Sequence, residues 1–183
     1  NRPADGGHLI IEREDYEQFQ KCEPGALAYI KKFIGSAEFI NNKPRYCLWL
    51  KNVSPAVLRK MPLVMQRIEA CQEDRLAAPD PGRRKLANTP TLFRETNNPH
   101  SAVVVPSVSS ERREYVPMGL IDAETIASNL VFLIPSATLY HFGVLTSSVH
   151  MAWMRTVCGR LEMRYRYSAN IVYNNFPWPD ANE

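Results

Sequence analysis

The sequence predicts an α+β fold, a single mixed domain over residues 1–183 with a mostly antiparallel sheet flanked by helices. Three observations lead there. Val57, Leu58, Met61, Val64, Met65, Ile68 and Cys71 recur at helical spacing in the first half. The second half is strand-rich, with strand candidates at 102–105 and 113–117 separated by a turn-like segment. The chain has 183 residues, enough for one sizeable core, and no internal repeat.

Taken in order, residues 9–11 form a short strand, and Asp15 caps a helical turn that runs to Lys21. Residues 26–34 read as a helix stopped by Gly35, and the aromatic run 46–50 as a buried strand. Ser54 and Pro55 are a good helix start, serine as cap and proline in the first turn. Pro62 interrupts the pattern that follows, which predicts a short helix or kink before a longer helix. Pro79-Asp80-Pro81-Gly82 ends that helix. The Pro- and Asn-rich middle, 77–99, is loop-like, with one helical turn at 89–95.

Residues 107–111 serve as a hairpin turn between the strands 102–105 and 113–117, and 130–134 is a further strand. Ser147 caps a helix that ends near Cys158, before Gly159. Its stripe of Val149, Trp153 and Val157 is assigned to the core. One strand then covers 160–168. Residues 171–173 come next, and the segment from Asn174 to Pro179 breaks regular structure.

No apolar run approaches the ~20 residues that a membrane-spanning helix needs. The chain opens on Asn1-Arg2-Pro3 with no signal peptide, so it is expected to be a piece of a longer cytoplasmic protein without a membrane partner. Cys22, Cys47, Cys71 and Cys158 lack paired metal spacing and are expected to be free thiols. The four histidines are scattered as well, so no metal site is expected. Net charge is +3, but 15 arginines stand against 7 lysines. Arginine is favoured where phosphate or base edges are gripped by a planar fork. Four arginines and one acid fall between Arg155 and Arg166, with smaller clusters at Arg83-Arg84-Lys85 and Arg112-Arg113.

Catalytic motifs are missing. No glycine-rich loop has the spacing of a phosphate or dinucleotide site. Ser109-Ser110 lacks a nucleophile elbow, and no zinc deaminase signature is present. Pro79-Asp80 is not followed by the Glu-x-Lys of a nuclease and reads as a turn. Asn97-Asn98-Pro99-His100 and Asn174-Asn175-Phe176-Pro177 lack the adjacent prolines and the aromatic of the Asn-Pro-Pro-Tyr site of amino-methyltransferases. The chain is expected to perform no chemistry by itself and to hold no cofactor.

The run from Arg160 to Ser168 carries the strongest functional signal. As a strand it would place Glu162, Arg164 and Arg166 on one face at about 7 Å intervals, and Met163, Tyr165 and Tyr167 on the other, toward the core. Arginine can donate a fork to guanine and glutamate can accept from cytosine, whereas a carboxylate in a plain phosphate patch would be repelled. A solvated strand with a local ion pair is the competing reading. Arg112 and Arg113 could hold phosphates, or pair with Glu111 and Glu114 to pin a hairpin, and Lys43 and Arg45 divide between phosphate and packing roles.

Several separate blocks resemble a known family. They are Asn42-Lys43-Pro44-Arg45-Tyr46-Cys47-Leu48-Trp49-Leu50, Pro106 through Pro117, Ser128-Asn129-Leu130-Val131-Phe132, and the stretch from Gly159 to Pro179. Together they resemble the target recognition domain of MmeI-like enzymes, large adenine-specific DNA methyltransferases often fused to a restriction nuclease. The resemblance implies a module that reads duplex DNA, flanked in the parent by an S-adenosylmethionine-binding methyltransferase domain and a C-terminal helical domain. It implies base reading by Glu162, Arg164 and Arg166, with Leu130 as partner to Arg166, although Leu130 also reads as core. Arg112, Arg113, Lys43, Arg45 and Arg160 are the expected phosphate contacts. A module that docks other domains of the same polypeptide, without base readout, is the alternative.

Overall fold

The computed structural model describes residues 1–180. In chain order the strands are β1 (Ile10–Ile11), β2 (Ile30–Ile34), β3 (Arg45–Leu48), β4 (Ser101–Pro106), β5 (Val108–Ser109), β6 (Gly119–Asp122), β7 (Thr125–Ala127), β8 (Val131–Pro135), β9 (Gly159–Leu161) and β10 (Arg164–Arg166). The helices are α1 (Tyr16–Cys22), α2 (Ser36–Ile40), α3 (Pro55–Leu58), α4 (Pro62–Ala77), α5 (Pro81–Lys85), α6 (Leu139–Leu145) and α7 (Ser148–Val157). The mixture is α+β, as expected. The elements gather into two compact units, one formed by 1–98 with 123–129, the other by 99–122 with the chain from 130 onward.

The first unit is built on a four-stranded sheet in the order β1-β3-β2-β7, in which β7 lies parallel to β2 and the other pairs are antiparallel. Helix α4 buries Val64, Ile68 and Cys71, as their spacing requires. It begins at Pro62, which has no N–H to leave unpaired. The next donor, Leu63 N, gives its hydrogen bond to Oε2 of the buried Glu23 at 2.8 Å. Arg75, fully buried in the last turn of α4, donates all five N–H groups to the carbonyls of Pro3, Ala4, Leu86, Thr89 and Leu92. One side chain thereby ties the N-terminal segment and the 86–92 loop to the helix.

The second unit holds two three-stranded antiparallel sheets, β6-β4-β8 and β5-β10-β9. Its core gathers Val103 and Val105 of β4, Tyr165 of β10, Tyr167, and Met151 and Met154 of α7. Ser147 caps α7, accepting from His150 N at 3.2 Å. His150 is fully buried, with Nε2 3.0 Å from the Tyr167 hydroxyl. Burial lowers its pKa to about 4 and raises that of the Tyr167 hydroxyl, so both groups stay neutral.

Several expectations need correction. Residues 26–34 are not one helix: a 3-10 turn, Pro24–Tyr29, runs into β2, because Ile30, Phe33 and Ile34 gain more from the sheet than from a helix face. Asp15 and Ser54 stand at the helix starts without a side-chain cap bond. The middle segment contains α5, capped by Asp80, and its extra helical turn falls at Leu86–Asn88 rather than 89–95. Residues 113–117 form no strand, and 107–111 contain β5 rather than only a turn. On α7 the buried face is His150, Met151 and Met154; of the expected stripe, Trp153 and Val157 pack against that core, while Val149 is 68% exposed. The segment 171–173 belongs to a π-helical turn, Ala169–Tyr173. Strands β6 and β7 and helices α2 and α6 have no counterpart among the expected elements.

Candidate functional site

The segment 160–168 is a β-hairpin rather than one strand. Leu161 of β9 pairs with Arg164 of β10, which leaves Glu162 and Met163 as a two-residue loop. The first residue of such a loop needs a positive φ, usually supplied by glycine or asparagine. Here Glu162 supplies it, at +57°. The turn moves Met163 from its expected place in the core to the hairpin tip, where it is 72% exposed. Beyond the loop the expected parity holds. Tyr165 and Tyr167 are buried, and Arg164 and Arg166 face the other way, into solvent.

The tip is internally braced. Arg164 Nη2 donates to Glu162 Oε2 at 2.9 Å, with both side chains well exposed. Arg160 lies opposite Tyr165 in the register and stacks its guanidinium 4.0 Å from that ring. Its Nη1 also donates to Met163 O at 3.1 Å, closing the loop from behind. Arg166 pairs across the ribbon with Gly159, so no side chain covers it from that strand.

Leu130 is not core: it is 53% exposed and lies one residue before β8. Its carbonyl accepts from Ser107 N at 3.2 Å and Ser107 Oγ at 2.6 Å. The Ser107 carbonyl in turn accepts from Tyr167 N at 2.9 Å. Leu130, Ser107 and Tyr167 thus form one row across three chain segments, which sets Leu130 about 10 Å from the end of β10 at ordinary strand spacing. Residues 110–113 leave β5 on the side of the hairpin tip, since Ser109 pairs with Tyr165 and the register continues toward Arg164. Arg112 there is 91% exposed, with Glu111 at 3.8 Å, and Arg113 is exposed.

The second unit therefore brings together Glu162, Arg164, Arg166, Arg160, Leu130, Arg112 and Arg113. Lys43 and Arg45 belong to the first unit. Lys43 is exposed. Arg45 is bracketed by Glu38 at 3.1 Å and Glu12 at 3.4 Å, and it packs on the Phe33 ring. Arg83 and Arg84 are engaged as well, by Asp74 and by the carbonyls of Ala78 and Pro79. A signal for the hairpin was present in the two short alternating runs on either side of Glu162-Met163, but a loop without Gly, Asn or Asp hid it.

Among the described residues no cluster of His, Cys, Asp and Glu is placed to hold a metal ion. A cavity of about 370 Å³ beside β8 is lined by apolar side chains together with Tyr167, Tyr173 and Asn174, without an acid–base pair. No helix among the described residues is long and apolar enough to cross a membrane. A solvated arginine-rich ribbon with a fixed carboxylate is suited to binding, and its donor forks suit planar acceptors.

A family model described as MmeI, target recognition domain, matches residues 1–180. DNA methyltransferase A of Bacillus subtilis (strain 168) is 46% identical over 183 residues, which cover 100% of this chain and 21% of that protein. The solved structure of the Type IIL restriction-modification enzyme MmeI in complex with DNA superposes with a TM-score of 0.94 at 44% identity, over 100% of this chain and 25% of that one. The chain thus spans less than a quarter of the curated relative's length.

Proposed function

The chain belongs to the family of MmeI target recognition domains, and from that premise we propose that it reads base sequence in duplex DNA through the β9–β10 ribbon. The observation that carries this reading is the exposed Glu162–Arg164 pair on a loop with a positive φ. An exposed ion pair contributes at most about 1 kcal/mol to stability. A non-glycine residue at positive φ costs on the order of 1 kcal/mol. The pair therefore makes little sense as a stabilising device, and good sense as a reader whose geometry is set before DNA arrives.

A two-stranded ribbon fits the major groove, where Arg164 and Arg166 can reach guanine N7 and O6 and Glu162 can accept from a cytosine amino group. Glu162 also aims the Arg164 guanidinium, so one base pair is read by both. Leu130, near the end of β10, limits which base Arg166 can face. Arg112, Arg113 and Lys43 are exposed and suit phosphates, which position the duplex without specifying it. Arg45 and Arg160 would have to exchange internal partners to do so.

The parent protein, on this reading, is a site-specific adenine methyltransferase that takes the target base out of the stack while this domain holds the register. S-adenosylmethionine supplies the methyl group and is bound by the methyltransferase part of the polypeptide. The methyltransferase domain and a C-terminal helical domain are its partners in the same chain, acting in the cytoplasm.

The test is the methylated motif of the full-length enzyme, read by sequencing modified DNA. The double substitution Glu162→Lys with Arg164→Asp should change the preferred base at one position and leave the others as they are. A fully active double variant with an unchanged motif would show that the ribbon does not read bases.

A further inference from the structure

Met163 has no role in the readout described so far, yet it sits in the two-residue loop at the tip of the ribbon. It is 72% exposed in a loop otherwise flanked by Glu162 and Arg164. Polar residues are the usual occupants of two-residue loops, because the loop side chains face water. The position of Met163 is also well defined. Its carbonyl is held by Arg160 Nη1, and Arg160 is itself anchored on the buried Tyr165 ring. A methionine so placed would meet the floor of the major groove when the ribbon enters it. Base edges there offer hydrogen-bond donors and acceptors, and one apolar group, the C5-methyl of thymine.

We infer that Met163 is a specificity-determining residue that packs on a thymine methyl group, at a position next to the base pair read by Glu162 and Arg164. The inference rests on the ribbon reading above. Arg160 acts here as a positioning residue, since it holds the loop that presents the thioether.

The experiment uses the full-length protein and the duplex it prefers, with each thymine of the site replaced in turn by deoxyuridine, which lacks only the methyl group. Binding is measured by fluorescence anisotropy against a scrambled duplex. Wild-type protein should lose about fourfold in affinity at one thymine, the worth of one buried methyl group. Met163→Ser should bind the thymine and uracil duplexes alike at that position and keep its preference elsewhere, while Met163→Leu should retain the discrimination. Indifference of the wild-type protein to uracil at every position would overturn the contact. So would a Met163→Ser variant with an unchanged thymine-to-uracil ratio. Equal affinity for preferred and scrambled duplexes would instead remove the ribbon reading itself, so the two failures are distinguishable.

Discussion

His150 shows how much a single buried group can decide. Its ring is fully buried against Tyr167 and the edge of Phe176, at 3.0 Å from the first and 4.6 Å between ring centres for the second. Burial holds its pKa at about 4, below the ordinary 6.5 of an unfolded chain. The unfolded state therefore binds the proton first as pH falls. Its contribution is fully present above pH 6.5 and drains away down to pH 4, by about 3 kcal/mol over the window. Urea unfolding between pH 7.5 and 4.5 should show this loss. A His150→Gln variant, which can still bond the tyrosine hydroxyl, should show a shallower decline, and an equally steep one would rule the histidine out as the cause. At the same scale, Tyr165, Tyr167, Arg164 and Arg166 were placed on the right faces by strand parity alone. Met163 was not, because the two-residue turn resets the alternation that parity assumes.

At the scale of elements, α4 illustrates what local sequence leaves out. Its length and buried face follow from apolar spacing, and Pro62 marks its start. Met61, at the cap position, makes no side-chain cap bond, so the acceptor for the first free donor must come from elsewhere. That acceptor is Glu23, 40 residues earlier in the chain from Leu63. Glu23→Ala should therefore destabilise the fold by about 1–2 kcal/mol, in the range of lost helix caps. Thermal denaturation checks this, and a melting temperature within a degree of wild type would argue against the cap. The helix expected over 26–34 is absent for a related reason. Its composition allows a helix, and only the neighbours β3 and β7, far apart in sequence, make β2 the better use of Ile30, Phe33 and Ile34. Strand β5 has two residues and the hairpin loop two, below the length at which periodicity carries information.

For the whole molecule, the α+β class and the exposed arginine face of the 160–166 segment were legible, the first from helical spacing and the second from charge alternation. The division into two units was not, because it depends on which strands pair. Whole-chain DNA binding gives a further check. Each phosphate contact adds about −0.9 to the slope of log affinity against log salt. Arg112→Ala should make that slope shallower by about one, whereas Arg160→Ala, which unties the loop without freeing a phosphate, should leave it unchanged. Slopes measured from 50 to 300 mM salt that reverse this order would exchange the roles of the two arginines. The path of the chain carries one more implication. It passes from the first unit to the second after Asn98, returns for 123–129, and leaves again at Leu130. A cut after Asn98 would strip β7 from β2 and expose that strand's edge, a template for aggregation. Neither unit can be transplanted as a simple segment, so on the reading proposed above an engineer who wants a new specificity would graft the entire chain or edit the ribbon residue by residue. On the same reading a lineage diversifying its targets would face that choice, with single substitutions at the hairpin the shorter route.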